Sequence, residues 1–245
     1  MIMYINILNN KKEIGERVAE IILNAVKENP RTILGLATGS SPLDAYEEII
    51  LQSKHHGVSF REVKTFNLDE YLHCSDPHQT YRAFMEENLF KGIDLPRSNS
   101  HFPNPSHPEE YDQEIAEAGG IDIQLLGIGR DGHIGFNEPG TAEDSKTHII
   151  ELTESTIEAN ARFFHNDKSK VPTQAVSMGL GTIMKARHII LIANDPTKKE
   201  AIENLLKKNF NPDWPATILS KHPNVDIFLT KDVFGDDPIP QGVTL

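Results

Sequence analysis

Three short runs in this chain are almost wholly apolar: ILGLA at 33–37, IDIQLLG at 121–127 and HIILIA at 188–193. A strand with one face in water alternates apolar and polar residues. Runs without that alternation belong to strands covered on both faces, the condition of a parallel sheet. The same reading places strands over Met3–Leu8, Thr32–Ala37, Glu62–Asn67, Ile121–Gly127, His188–Ala193 and Val225–Leu229. Between them lie helical patterns at Glu13–Glu28, Pro42–Lys54, Thr80–Phe90, Glu109–Ala118, Ser155–Phe164 and Lys198–Lys207. In the first helix Ile14, Val18, Ile21, Ile22 and Ala25 recur at the spacing of a single apolar face. Strand–helix alternation implies right-handed βαβ crossovers, and hence an α/β three-layer sandwich with a mostly parallel sheet. At 245 residues the chain suits one domain over 1–245, with the Pro-rich stretch Pro96–Pro108 as a surface connection.

Composition narrows the function classes. The 38% hydrophobic content is enough for a sizeable core, which excludes wholesale disorder. Thirty-six acidic against 24 basic residues give a net charge of −12, the wrong sign for a nucleic-acid surface, which needs a basic stripe. A lone cysteine, Cys74, excludes an internal disulfide and a cysteine-built metal cage. There is no run long and apolar enough to span a membrane, and the N-terminus lacks the pattern of a signal peptide. The expectation is a soluble cytoplasmic protein with no nucleic-acid or membrane partner.

In an open α/β sheet, ligands bind beyond the carboxyl ends of the strands, so residues that follow strands carry the most information. The first such segment, Leu36–Asp44, runs from a strand into Thr38, Gly39, Ser40 and Ser41. Pro42 stands where a helix would have its first residue, and Ser41 and Asp44 stand at capping-box spacing. A helix start of this kind offers free N–H groups, hydroxyls and a positive dipole end to an anion such as phosphate. The second, FNLDEY at 66–71, puts Asp69 and Glu70 past a strand end. They are candidates for a general base, for metal ligands, or for a cap on the next helix.

The third, Leu125–Pro139, is the densest. Glycines at 127, 129, 132 and 135 surround Asp131, His133, Asn137 and Glu138. A histidine flanked by carboxylates has its tautomer and basicity set for proton transfer. A metal site from Asp131, His133 and Asp69 or Glu70 is the weaker alternative, because no second histidine stands at ligand spacing. The fourth segment is cationic: Arg162 within ANARFF, and Lys198 at the head of a helix whose Thr197 and Glu200 make a capping box. A lysine at a helix N-terminus opposes the dipole, which a nearby anion would offset.

Taken in order, ATGSSP, FNLDEY, GIGRDGHIGFNEP, ARFF and TKKEAI resemble the glucosamine-6-phosphate deaminase family over essentially the whole chain. The related 6-phosphogluconolactonases share the Gly-x-Asp-Gly-His core but lack the Phe-Asn-Glu-Pro continuation, so Glu138 points to the deaminase branch. The resemblance implies a modified Rossmann-like α/β fold and no metal or organic cofactor. It implies conversion of D-glucosamine 6-phosphate and water to D-fructose 6-phosphate and ammonia. It assigns Asp69 the transfer of a proton from C2 to C1 through an enediol-type intermediate. It assigns ring opening to His133, with Asp131 and Glu138 as its partners. Phosphate binding falls on Thr38, Gly39, Ser40, Ser41, Arg162 and Lys198. Alternatives are an epimeric substrate such as galactosamine 6-phosphate, a lactonase, or a non-catalytic sugar-phosphate sensor. The stretch Glu143–Ile150 places His148 and Ile150 where long allosteric members carry basic residues, and the ending Gln241–Leu245 is shorter than theirs. The expectation is therefore a non-allosteric monomer or small homo-oligomer, with a lid over 155–171 that orders on bound phosphate.

Overall fold

The computed structural model describes residues 2–238. Among the described residues there are ten strands: β1 (Ile2–Leu8), β2 (Ile33–Leu36), β3 (Lys64–Asn67), β4 (Asp69–Tyr71), β5 (Ser100–His101), β6 (Ile123–Leu126), β7 (His148–Glu151), β8 (Gln174–Ser177), β9 (His188–Ala193) and β10 (Asn224–Thr230). Seven form one sheet in the order β1-β10-β9-β6-β2-β3-β5, and every pairing in it is parallel. The α-helices of the described residues are α1 (Lys11–Glu28), α2 (Leu43–His56), α3 (Tyr81–Asn88), α4 (Pro108–Ala118), α5 (Glu154–Asn160), α6 (Leu180–Ile183) and α7 (Lys199–Leu206), joined in places by short 3₁₀ turns.

The apolar runs behave as their composition requires. Ile190 and Ile192 of β9 lie in one hydrophobic cluster with Leu34 and Leu36 of β2 and the inner faces of α1 and α2. Ile189 and Leu191 join the opposite cluster, with Tyr111 and Ile115 of α4 and Ala201, Ile202 and Leu205 of α7. A sheet buried on both faces between two helical layers is the three-layer sandwich that the pattern predicted. On α1, Ile14, Val18, Ala19, Ile22, Leu23 and Val26 are buried, each large side chain contributing about 1.5–3 kcal/mol. Asn10 caps the helix by accepting from the Glu13 amide at 2.9 Å.

The second sheet was not expected. Strands β4, β8 and β7 form an antiparallel ladder in that order, with Asp69 opposite Ser177 and His148 also opposite Ser177. It packs under a small cluster of Tyr71, Phe136, Leu152, Ala161, Phe164, Val171 and Ala175. The stretch 96–108 is likewise more than a connection, since Ser100 and His101 pair with Thr65 and Phe66.

Several helix starts also differ from expectation. Pro42 occupies the cap position of α2, and neither its side chain nor that of Ser41 bonds the first turn; the helix starts one residue later than predicted. The turn ahead of α7 is capped by Asp195, which accepts from the Thr197 amide at 2.7 Å, in place of a Thr197–Glu200 box. Thr197 lies inside the 3₁₀ turn Pro196–Lys198 that precedes α7, so the cap position falls upstream, on Asp195. Helix α5 stops at Asn160, and Arg162 lies in the 3₁₀ turn Ala161–Phe163 that follows. Of the stretch compared with allosteric members, His148–Glu151 is β7, while Gln241–Leu245 lies outside the described residues. Among the described residues no helix is long and apolar enough to cross a membrane.

Candidate functional site

The carboxyl ends of β2, β3 and β6 open onto a cavity of about 950 Å³. Its lining includes Thr38, Gly39, Ser40 and Ser41 after β2, Asp69 after β3, Asp131 and His133 after β6, and Arg162 and Lys198. Nine of the ten predicted site residues therefore share one space. The tenth, Glu138, does not line it but contacts residues that do. A second cleft, of about 490 Å³ between α1 and α2, shares none of these residues.

The loop after β2 is held open from beneath. The Tyr46 hydroxyl, on α2, accepts from the Ala37 amide at 3.1 Å and donates to the Ala37 carbonyl, so the last residue before the loop is pinned on both sides. Gly39 sits at φ +91°, a left-handed conformation open to glycine at no steric cost. Asn194, from the end of β9, donates to the Ser41 carbonyl at 3.2 Å. Backbone amides at the start of α2, a chain of hydroxyls and a positive dipole end thus face the cavity.

Lys198 is half-buried, and burial lowers its pKa; Asp195 acts to raise it, the charges of Arg130 and Arg162 to lower it, and Asp131 to raise it. Lys198, Arg130 and Arg162 line one cavity together with two acids, Asp195 and Asp131, a set of charges able to hold an anion. Arg130 went unnoticed in the sequence, where it reads as an exposed loop charge; its only signal was its place inside the glycine-rich loop. Arg162 stacks over Phe163, its guanidinium carbon 4.7 Å from the ring centroid.

Asp69 is 6% exposed. Burial is the main cause, and the Glu70 charge the second, of a carboxyl pKa pushed up to about 8. Glu70 itself is the helix cap of the three roles open to it. It accepts from the Tyr81 and Arg82 amides at the start of α3, both at 2.9 Å, and from Tyr71. The Tyr71 and Tyr81 rings, 4.6 Å apart, and Phe136 wall this side of the cavity.

The loop after β6 folds back on itself. The Gly129 amide donates to the His133 carbonyl at 2.8 Å, and the ring of His133 lies over Gly129. A Cβ on residue 129 would come within 2.1 Å of His133 Nδ1, so glycine here is a matter of space. The far end is latched by Asn137, fully buried, which donates to the Ile134 and Met178 carbonyls at 2.8 Å each. Asn137 is thus structural. The Ser177 hydroxyl accepts from the Phe136 amide at 3.1 Å and donates to the Met178 carbonyl at 3.0 Å, tying the loop to β8.

His133 Nδ1 lies 2.6 Å from Asp131 Oδ1 and 3.8 Å from Glu138 Oε2. Burial acts to raise the pKa of Asp131, but hydrogen bonds with His133 and Glu138 outweigh it and hold the carboxyl well below the usual range. Burial and the contact with Asp131 raise that of Glu138. An ionised Asp131 fixes the proton on Nδ1 and leaves the lone pair on Nε2, the tautomer a proton acceptor needs. The ligating atoms of Asp131, His133 and Glu138 lie within 4.8 Å of one another, a spacing that admits a metal ion. The formed 2.6 Å hydrogen bond nevertheless occupies the Nδ1 that such an ion would use. Asp69 and Glu70, the other ligands considered, are not in that group.

The family described as glucosamine-6-phosphate isomerases/6-phosphogluconolactonase matches residues 10–228. The chain belongs to this family. It is 46% identical over 234 residues to a glucosamine-6-phosphate deaminase of Mycoplasma mycoides subsp. mycoides, covering 94% of this chain and 96% of that one. Its fold superposes on a monomeric glucosamine-6-phosphate deaminase with a TM-score of 0.89 and 37% identity, over 94% of this chain and 98% of the other. A 6-phosphogluconolactonase from Thermotoga maritima shares the fold, at a TM-score of 0.73 and 18% identity over 94% of this chain and 99% of that one. The glucosamine-6-phosphate isomerase/6-phosphogluconolactonase family thus supplies the α/β, Rossmann-like framework on which this cavity is built.

Proposed function

We propose that the protein is a glucosamine-6-phosphate deaminase, converting D-glucosamine 6-phosphate and water to D-fructose 6-phosphate and ammonia. The observation that carries this reading is the placement of a buried carboxyl, Asp69, and an oriented imidazole, His133, on one cavity that also holds a cationic, hydroxyl-lined anion site. The identities to named deaminases, 46% and 37%, support it.

Phosphate docks on Thr38, Gly39, Ser40, Ser41, Arg162 and Lys198, and its binding energy holds the sugar in reactive geometry. His133 Nε2 takes the anomeric hydroxyl proton and returns a proton to the ring oxygen, while Asp131 and Glu138 stabilise the imidazolium formed in between. Asp69 then removes the C2 proton; the C2–H electrons form the C1–C2 double bond while the C1=O π pair moves onto O1, which takes a proton from the neighbouring C2 ammonium to give an enaminol. Returning the proton to C1 leaves an imine at C2, which water hydrolyses to the ketone and ammonia. No step needs a metal or an organic cofactor. A 6-phosphogluconolactonase would have no use for a base positioned at C2. The chain acts in the cytoplasm as a monomer or small homo-oligomer, without allosteric activation.

The test is incubation with D-glucosamine 6-phosphate in EDTA, following fructose 6-phosphate and ammonia together, beside Asp69→Asn and beside D-galactosamine 6-phosphate. Equimolar products, lost in the variant, establish the reaction and its base. Turnover of the galacto epimer alone, or dependence on added metal, overturns this assignment.

A further inference from the structure

We propose that Thr156 is a positioning residue for ring opening: from α5 it holds one oxygen of Glu138, leaving the other turned toward His133. The proposal rests on the deaminase reading of the site.

Thr156 is 8% exposed and lies on the cavity wall. Its hydroxyl donates to Glu138 Oε1 at 2.8 Å, across 18 positions of sequence, while Glu138 Oε2 is the oxygen 3.8 Å from His133 Nδ1. A helical threonine with no other task returns its proton to a carbonyl of the preceding turn. Here the hydroxyl is committed instead to an acid that belongs to the catalytic loop. Its own orientation is fixed twice, by the stiff χ1 of a β-branched residue and by the Thr153 hydroxyl 2.9 Å away. Thr153 is in turn the cap of α5, accepting from the Thr156 amide at 3.3 Å.

Glu138 needs such a partner. The titratable groups that face it are Asp131 and His133, both from its own loop, and between two close carboxylates the choice of oxygen is otherwise undecided. A hydroxyl donor on Oε1 settles which oxygen meets the imidazole. Six residues further along, Arg162 reaches the same cavity from the turn that ends α5. One short segment therefore touches both the anion site and the ring-opening group. Seating α5 on a bound phosphate aligns Glu138 in the same movement.

Thr156→Val keeps the shape and removes the donor; Thr156→Ser keeps the donor. The expected result for Val is a fall in kcat of about tenfold, the usual loss for a hydrogen bond to a charged group, with serine recovering most of it. KM, and the Kd of 2-amino-2-deoxyglucitol 6-phosphate, an open-chain alditol with no ring to open, change by less than about twofold. An alditol affinity that falls along with kcat shows that Thr156 merely seats α5 and overturns the proposal, as do an unchanged kcat or a serine variant as poor as valine. The carbon-13 carboxyl signal of Glu138, assigned by its loss in Glu138→Gln, reads the same contact whichever sugar phosphate is turned over. It titrates at higher pH in the valine variant and at the wild-type pH in the serine variant. If it does not move, the proposal fails independently of the deaminase assay; if wild type releases no ammonia, the deaminase reading fails and this signal still decides the contact.

Discussion

Replacing Asp69 by asparagine should abolish turnover and make the protein more stable, by an amount that grows with pH. The folded protein holds this carboxyl at about 8, against 3.8 for an aspartate in water, chiefly because burial penalises the charged form. Between those values the unfolded chain has released the proton and the folded chain has kept it. Stability is therefore lost as pH rises from about 4 to about 8 and is flat on either side. At about 1.4 kcal/mol per pH unit, the whole interval bounds the penalty at about 6 kcal/mol. Asp69 borders a cavity that admits water, so the realised figure lies below that bound. Asparagine has the same shape and no charge to bury. Urea unfolding of both proteins at pH 5, 6, 7 and 8 measures the difference directly. The gap in favour of the variant should widen steadily across the series, approaching about 1.4 kcal/mol for each step. A gap that stays constant with pH would refute the argument, because it would mean that Asp69 titrates alike in folded and unfolded chains. The same titration shapes catalysis: a base must be ionised, so kcat/KM of wild type should climb as pH rises toward about 8.

Three further outcomes follow from other parts of the site. Gly129→Ala places a methyl 2.1 Å from His133 Nδ1, so the ring must leave Asp131; kcat/KM should fall by about a hundredfold while the fold survives, as circular dichroism and steady-state assays together would show. Arg162→Ala should raise KM for the sugar phosphate by roughly tenfold or more with a smaller effect on kcat, and an unchanged KM would remove it from the anion site. Hydrogen exchange over 155–171 should slow when the alditol phosphate binds, since Arg162, in the turn that ends α5, then holds the phosphate. Equal exchange with and without it would rule out a lid.

The two ladders of this molecule were unequally visible in the sequence. Strands β2, β6 and β9 announce themselves because burial on both faces leaves no room for polar alternation. The residues of β4, DEY, give no such signal. They are extended because Glu70 pairs with Val176, more than a hundred positions away, and no local pattern encodes that partner. Strand β7 alternates in exposure over only four residues, HIIE, too short a window for a period of two to stand out. Among site residues, those in glycine- and hydroxyl-rich loops at strand ends were readable because such loops have few other purposes. Thr156 was not, since a threonine inside a polar helix looks the same whether it faces water or a buried acid. Glu70 and Asp69 adjoin in sequence and look interchangeable; only the α3 amides at 2.9 Å mark Glu70 as the cap and leave Asp69 as the proposed base.

The parallel pairing of β1 with β10 sets a condition on how the chain is made. Asn6 donates to Asp226 across 220 positions, and the two strands run in register along their whole length. A ribosome therefore releases MYINIL long before the strand that covers its edge, and until then a short apolar strand hangs free beside a half-built sheet. Edges of this kind recruit other chains. Slow translation late in the message, or loss of residues around 224–230, should thus cost yield through aggregation even though every residue of the cavity walls up to Lys198 has already been synthesised.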